Sequence, residues 1–323
     1  MINFLIIKKI LSTIMKKYSP FITSAITILL LLISSMSCVS GKVYKYAYTK
    51  PITSGRWLRN IKVPVTIGEN AKYVTIQIYF PRKYKAGNVL PVIIALHSRR
   101  GNLRDWEVNT RIESMADSKN FIIVCPNMRQ SMYESRFFPQ TKTKWSPIPG
   151  SKFVGKVLID YLRKTFALAQ RREKTAILGL STGARGAMLV SSLYPKRIGA
   201  AAGFSGDYDH LQLRWDKLFT SILGPYNKFP KRWKTTDNIV KLSKNLKNTP
   251  VFLAHGKGDR YIAVKQSFAL FLAIKAHNEN YPNNYKVYSY IKKRAVHDWQ
   301  FWRKALPLAI KFFDKDLFNK GKK

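Results

Sequence analysis

Ser181 ends the run Ile177-Leu178-Gly179-Leu180-Ser181-Thr182-Gly183, with a glycine two residues to either side. This G-x-S-x-G spacing suits a strand that turns sharply into a helix and leaves the serine hydroxyl exposed at the tip. The flanking sequence agrees. Residues 174–180 read as a short buried strand and 184–193 as a helix rich in small residues. A serine hydroxyl is a weak nucleophile at neutral pH, so the chemistry also requires a base and an acid that orients the base. The nucleophilic reading stands beside a plainer one, a serine in a structural turn.

Where this elbow is used, the partners follow in the order acid, then histidine. The chain has 5 histidines. His97 precedes the elbow, His277 lies in a helical pattern, and His210 and His255 follow the serine without a convincing acid before them. His297 sits between a strand-like run (285–291) and a helical pattern (301–313), where a base belongs; the plainer reading is a loop residue capping the last helix. The acid is expected after the strand 251–254, where Gly256-Lys257-Gly258-Asp259-Arg260 offers Asp259. Asp207 and Asp209 are rivals one strand earlier, and either could instead cap a helix or a turn. A tetrahedral oxyanion needs preorganised donors. The Thr182 amide follows the nucleophile, and the loop Ser98-Arg99-Arg100-Gly101 follows the apolar strand 92–96, so the Arg99 amide is the second candidate.

Three separated motifs then agree: Leu96-His97-Ser98-Arg99-Arg100-Gly101, Gly179-Leu180-Ser181-Thr182-Gly183, and Val296-His297-Asp298-Trp299. Together they resemble the esterase family of α/β-hydrolases that includes esterase D, feruloyl and acetyl-xylan esterases and mycolyl acyltransferases. The likeness spans about residues 74–313. It implies a Ser181 nucleophile, an Asp259 acid, a His297 base and oxyanion amides from Thr182 and Arg99, without metal or cofactor. His97, Arg185 and Trp299 are the candidates for bordering the substrate. Two positions depart from the pattern: Ser98 stands where glycine is usual, and Ala184-Arg185 where a second glycine is common. Arg185 lies in the first turn of a helix, where a cation opposes the dipole. With Arg99 and Arg100 it could favour acidic substrates, or it could face solvent or pair with acids.

The elements needed to hold these groups are legible in outline. Strand-like runs fall at 73–80, 92–96, 121–124, 175–180, 200–204, 251–254 and 285–290, with helical patterns at 106–117, 153–166, 184–194, 262–276 and 301–318. This alternation predicts an α/β fold, a mostly parallel doubly wound sheet with helices on both faces. One catalytic domain is expected over residues 41–323, since 323 residues at 46% hydrophobic content supply one sizeable core. The stretches 128–150 and 211–233 carry many aromatics, among them Trp145 and Trp215, which either cover the site and bind a ring or simply pack the loops down.

Residues 1–40 read as an export signal: Lys16-Lys17 precede the apolar run 21–33, and small residues then lead to Cys38. Met15 is an alternative start. Cys38 stands where a lipoprotein is cut and lipidated; simple secretion and a retained anchor are the other outcomes. Cys125, in the apolar run around 121–124, reads as a buried free thiol. No cysteines or histidines stand at metal-ligand spacing. The 57 Lys and Arg against 17 Asp and Glu give a net charge of +40. That surface attracts anionic envelope lipid or polysaccharide, whereas no motif for specific nucleic-acid binding accompanies it.

The expected activity is therefore a serine carboxylesterase of the cell envelope, periplasmic or secreted. Its substrate would be a small-molecule or glycan ester, with acyl or feruloyl esters of carbohydrate suggested by the resemblance. An acyltransferase of the same fold is one alternative. A basic envelope-binding protein with a vestigial site is the other.

Overall fold

The computed structural model describes residues 47–67, 70–142, 144 and 146–319, so the export segment with Cys38 and the loop residue Trp145 lie outside the described residues. Residues Tyr44–Lys323 form one compact unit. It is built on an eight-stranded sheet: Arg56–Ile67 (β1), Asn70–Phe80 (β2), Val92–Leu96 (β3), Ile122–Pro126 (β4), Thr175–Leu180 (β5), Ala200–Phe204 (β6), Val251–Gly256 (β7) and Val287–Lys292 (β8). Their spatial order is β1-β2-β4-β3-β5-β6-β7-β8. In that order pairing is parallel from β4 through β8; β2 alone runs against the other strands, so the β1–β2 and β2–β4 pairs are antiparallel. The fold is thus the α/β-hydrolase type read from the sequence.

Strands β3, β5 and β6 fall on the expected residues because strands covered on both faces are unbroken apolar runs. The edge strand β1 was not expected. Its inward residues Ile61, Val63 and Val65 are buried while Lys62 and Pro64 face outward. Asn60 at φ 56° produces a register shift between Leu58 and Ile61 that interrupts the alternation. Pro64 is tolerated because the outer side of an edge strand pairs with nothing.

The helices cover the two faces as Asp105–Asn109 (α1), Ile112–Lys119 (α2), Ile159–Phe166 (α3, continuing a π-helical turn from Phe153), Thr182–Leu193 (α4), Lys217–Leu223 (α5), Pro230–Thr235 (α6), Lys265–Asn280 (α7) and Trp299–Phe313 (α8). The single helix read over 106–117 is two, because Thr110 adopts an extended backbone and its hydroxyl takes the Trp106 carbonyl. Helix α8 alternates strictly between buried Phe301, Trp302, Ala305, Leu306, Ala309 and Ile310 and exposed Arg303, Lys304, Pro307, Leu308 and Lys311. One core fills each face of the sheet, and Cys125 is a free thiol buried in the second.

Trp106 ties that second core to the site. It is fully buried, its ring meets Phe204 and Trp299, and its Nε1–H donates to the Leu96 carbonyl at 3.1 Å. Trp106→Ala is expected to cost about 3–5 kcal/mol of unfolding free energy, read as a lower urea midpoint at an unchanged slope.

Candidate active site

Ser181 sits between β5 and α4 at φ 54° and ψ −123°, a backbone conformation that L residues seldom adopt. It is held there from several sides. The Ser181 N–H donates to the Phe204 carbonyl at 2.8 Å, and its own carbonyl accepts from the Ala184 and Arg185 N–H groups. A Cβ at position 179 would run into the Gly183 carbonyl, and one at position 183 would come within 2.6 Å of the His97 carbonyl. Both glycines are therefore required by close backbone approach.

His297, on the loop between β8 and α8, brings its Nε2 to 3.1 Å from the Ser181 hydroxyl. Its Nδ1–H donates to Asp259 Oδ2 at 2.7 Å. The Asp259 carboxylate is fully buried and the imidazole is 13% exposed. The other carboxylate oxygen, Oδ1, accepts the Tyr261 N–H at 3.0 Å and the Ile262 N–H at 2.9 Å. The β7–α7 and β8–α8 loops are pressed together: Gly258 N–H donates to Ala295 O, and a Cβ on Gly256 would strike that same carbonyl. Trp302 packs edge-on to the imidazole with ring centres 5.0 Å apart and donates to the Ser205 hydroxyl. Asp298 caps α8 by accepting the Phe301 N–H.

A second histidine, which the sequence reading had set aside, flanks the acid. His255 Nε2 lies 3.4 Å from Asp259 Oδ2 and donates to the Ile262 carbonyl at 2.8 Å, while its Nδ1 is 2.7 Å from the Ser267 hydroxyl. Burial alone would raise the Asp259 carboxyl, but hydrogen bonds from His255 and His297 and the Ile262 amide outweigh it. They hold the group well below the usual carboxylate range.

The rival acids do other work. Asp209 accepts the Leu211 N–H and the Asn238 amide. Asp207 is buried, with no partner for its Oδ1 among the described residues, and burial, against the pull of Arg185, raises it to about 6.

The loop after β3 is braced rather than open. Ser98 to Gly101 forms a turn, closed by Gly101 N–H on Ser98 O at 2.9 Å. Ser98 is not among the residues with positive φ, so serine is accommodated where glycine was expected. Neither the Arg99 nor the Thr182 amide donates to an acceptor among the described residues, and the first amides of a helix such as α4 lack intrahelical acceptors by construction.

Three residues expected beside the substrate have different surroundings. His97 is 1% exposed. Its Nδ1–H donates to Ser98 O at 2.6 Å, its Nε2 accepts the Met128 N–H at 2.8 Å, and its carbonyl accepts the Tyr133 hydroxyl. It is a clamp on the loop, buried away from solvent. Arg185 is 3% exposed, donates to the carbonyls of Asp237 at 2.8 Å and Asp207 at 3.4 Å, and stacks 4.9 Å over Phe219. It neither faces solvent nor joins Arg99 and Arg100 around a pocket. Trp299 is half-buried and edge-on to both Trp106 and Trp302, where it supports the histidine loop from beneath.

A residue the sequence did not single out is Tyr261, 85% exposed with its ring 5.5 Å from that of His297. Its place two residues after the acid was the available signal. The two aromatic-rich stretches mostly pack on each other. Met132, Phe219, Ile222, Leu223 and Trp233 form a small separate core, although Trp215 is 91% exposed. Among the described residues, no cluster of histidine, cysteine or acidic groups could hold a metal ion.

Burial pushes His97 down to about 4. A histidine lowered on folding contributes stability that is fully present above its unfolded value and lost as pH falls toward the folded one. Between about pH 6.5 and 4, His97 should cost the fold about 3 kcal/mol. His210, lowered by burial to about 3, acts in the same direction, whereas Asp207, raised to about 6, acts in the opposite one. The fall in Tm from pH 7 to pH 4 should therefore be shallower in His97→Gln than in the wild type; parallel curves would refute this.

Comparison with known proteins agrees with this fold. The chain is 27% identical over 240 residues to an acetyl esterase of Caldicellulosiruptor saccharolyticus, covering 70% of this chain and 84% of that one. It shares its fold with FphF, a fluorophosphonate-binding serine hydrolase of Staphylococcus aureus, at a TM-score of 0.60 and 15% identity over 80% of this chain and 98% of that one. A ferulic acid esterase superposes equally, at a TM-score of 0.60 and 15% identity over 80% and 97% of the two chains. The sequence profile of the Putative esterase family matches residues 69–313, about three quarters of the chain. A carboxylic ester hydrolase by that match, the chain belongs to the Putative esterase family.

Proposed function

We propose that the protein is a serine carboxylesterase working through Ser181, His297 and Asp259, with the Thr182 and Arg99 amides as oxyanion donors. The observation that carries this reading is the continuous relay from the Ser181 hydroxyl through His297 to Asp259. His297 Nε2 takes the Ser181 proton as the oxygen attacks the ester carbonyl, and Asp259 stabilises the imidazolium that forms. The two amides receive the negative charge of the tetrahedral intermediate. The imidazolium then protonates the leaving alcohol, which leaves an acyl group on Ser181. Water, deprotonated by the same imidazole, attacks that acyl group, and the serine is restored as the acid departs.

The substrate is read as an acyl ester on carbohydrate, acetyl or feruloyl. In support are the acetyl esterase relative, the ferulic acid esterase fold and the exposed ring of Tyr261 beside His297. The site of action is read as the cell envelope, on the basis of the export-type segment 1–40, with Cys38 as the lipidated residue. Palmitate labelling that disappears in Cys38→Ala supports that anchor; an unlabelled wild type removes it.

The catalytic reading is tested by a fluorophosphonate probe together with p-nitrophenyl, feruloyl and acetyl-sugar esters. Labelling and turnover that vanish in Ser181→Ala are expected. A folded wild-type protein that takes no label would overturn it.

A further inference from the structure

A cavity of about 690 Å³ opens on the same sheet edge as Ser181 but is not lined by any member of the relay. Its walls come from residues 72–75 in the first half of β2 and from the loop that follows β4. Because β2 runs antiparallel to β4, its start lies at the carboxyl ends of the parallel strands. β4 is two strand positions from β5 and β2 is three, so the cavity walls stand on the order of 10–15 Å from the nucleophile strand at the usual spacing between strands. The loop after β4 is also the one that clamps His97, through the Met128 N–H.

Three cations line this cavity, Lys72, Arg129 and Lys144, and no acidic side chain does. Like charges gathered around one concavity repel each other unless an anion sits among them. Two aromatic walls accompany them. Lys62 lies 4.5 Å over the Tyr73 ring and Lys144 lies 5.7 Å over that of Phe137. A separate observation points to a ligand: Ser146 lines the cavity, is only 8% exposed, and its hydroxyl has no hydrogen-bond partner among the described residues. A buried hydroxyl left unbonded costs free energy unless something arrives to bond it.

We propose that this cavity is a subsite for the carboxylate of a uronic acid, on an acidic polysaccharide whose acyl ester is cleaved at Ser181. The inference rests on the esterase reading above. The cations receive the carboxylate, the Ser146 hydroxyl bonds an oxygen of the sugar, and the Tyr73 and Phe137 rings flank it. A membrane surface is flat and does not reach a recessed hydroxyl. A nucleic acid carries no carboxylic ester for the neighbouring site.

The test uses the full chain, an acetylated uronate-bearing oligosaccharide and the same oligosaccharide with its carboxyl groups reduced to alcohols. For the triple variant Lys72→Ala, Arg129→Ala, Lys144→Ala, the KM for the uronate substrate should rise about ten-fold with kcat little changed. Its kinetics on the reduced substrate and on p-nitrophenyl acetate should match the wild type. A control triple, Lys231→Ala, Lys234→Ala, Lys241→Ala, removes the same charge from exposed positions elsewhere and should leave the uronate KM unchanged.

Equal effects of the two triples, or equal losses on the uronate and reduced substrates, would overturn the subsite. So would displacement of the oligosaccharide by single-stranded DNA or anionic phospholipid vesicles at matched charge. Calorimetric binding of the unacetylated uronate oligosaccharide separates the two readings. Ester cleavage without such binding removes the subsite alone. Binding that is lost in the cavity triple, with no cleavage of any ester, supports the subsite and counts against the esterase reading.

Discussion

Ser181→Ala should lower kcat on p-nitrophenyl acetate by about a million-fold while leaving the protein folded. The size of the effect follows from how little remains once the nucleophile is gone. In the proposed relay His297 and Asp259 move the Ser181 proton, so without the hydroxyl that relay has nothing to deliver. The oxyanion amides would remain and would supply the residual rate over water.

A second substitution at the same position separates chemistry from strain. At φ 54° and ψ −123° the backbone of residue 181 is unfavourable for any L side chain, alanine included. Ser181→Gly removes that penalty, so it should be as inactive as Ser181→Ala but more stable by about 1 kcal/mol. In a fold of this size that is a rise in Tm of roughly 2–4 °C. Equal melting temperatures for the two variants would mean that the elbow stores no strain.

Asp259→Asn carries the next largest effect, a fall in kcat of about ten-thousand-fold. The direction of the new amide is dictated by its neighbours. The Tyr261 and Ile262 N–H groups both donate to Oδ1, so the amide oxygen must stay on that side. The NH2 group then faces His297 and His255, where Oδ2 had accepted. His297 Nδ1 must accept from it, which moves the ring proton to Nε2, the nitrogen that has to receive the proton of Ser181. The imidazole remains in place with the wrong tautomer.

The substitution also removes a carboxylate that is fully buried. Because its acidity is raised on folding, that group stabilises the protein above the ordinary carboxylate range and loses its contribution as pH falls below it. The acid limb of unfolding should therefore change in Asp259→Asn along with kcat. If kcat falls less than ten-fold with the fold intact, Asp259 is not the orienting acid.

Some of this molecule is readable without coordinates, and the residues show why. Strands β3, β5 and β6 were located to the residue because strands buried on both faces are almost wholly apolar. The elbow was legible because Gly179 and Gly183 are backbone requirements, and such requirements leave a local signature. Chain order and loop position then selected Asp259 and His297, two groups that the fold brings together from positions 38 residues apart.

What stayed hidden depended on direction, which spacing along the chain does not encode. Arg185 and His97 are polar residues beside the elbow and the loop after β3, and both were candidates for the surroundings of the substrate. The fold turns Arg185 inward onto two carbonyls and Phe219, and it uses His97 to pin Met128 to Ser98. Strand β1 was missed because its bulge at Asn60 shifts the alternation by which an edge strand is recognised. Helices α5 and α6 lie in an aromatic-rich stretch whose apolar groups pack on each other and on Met132 rather than on the sheet, so no periodic face marks them. His255 joined the acid, and Tyr261 came beside His297, only through the way the loop after β7 folds back on itself. Residue type and order thus determined which groups could react, since those depend on chemistry and local backbone. Which polar groups meet substrate and which only hold the scaffold was decided by the tertiary structure, because burial follows from contacts between distant segments.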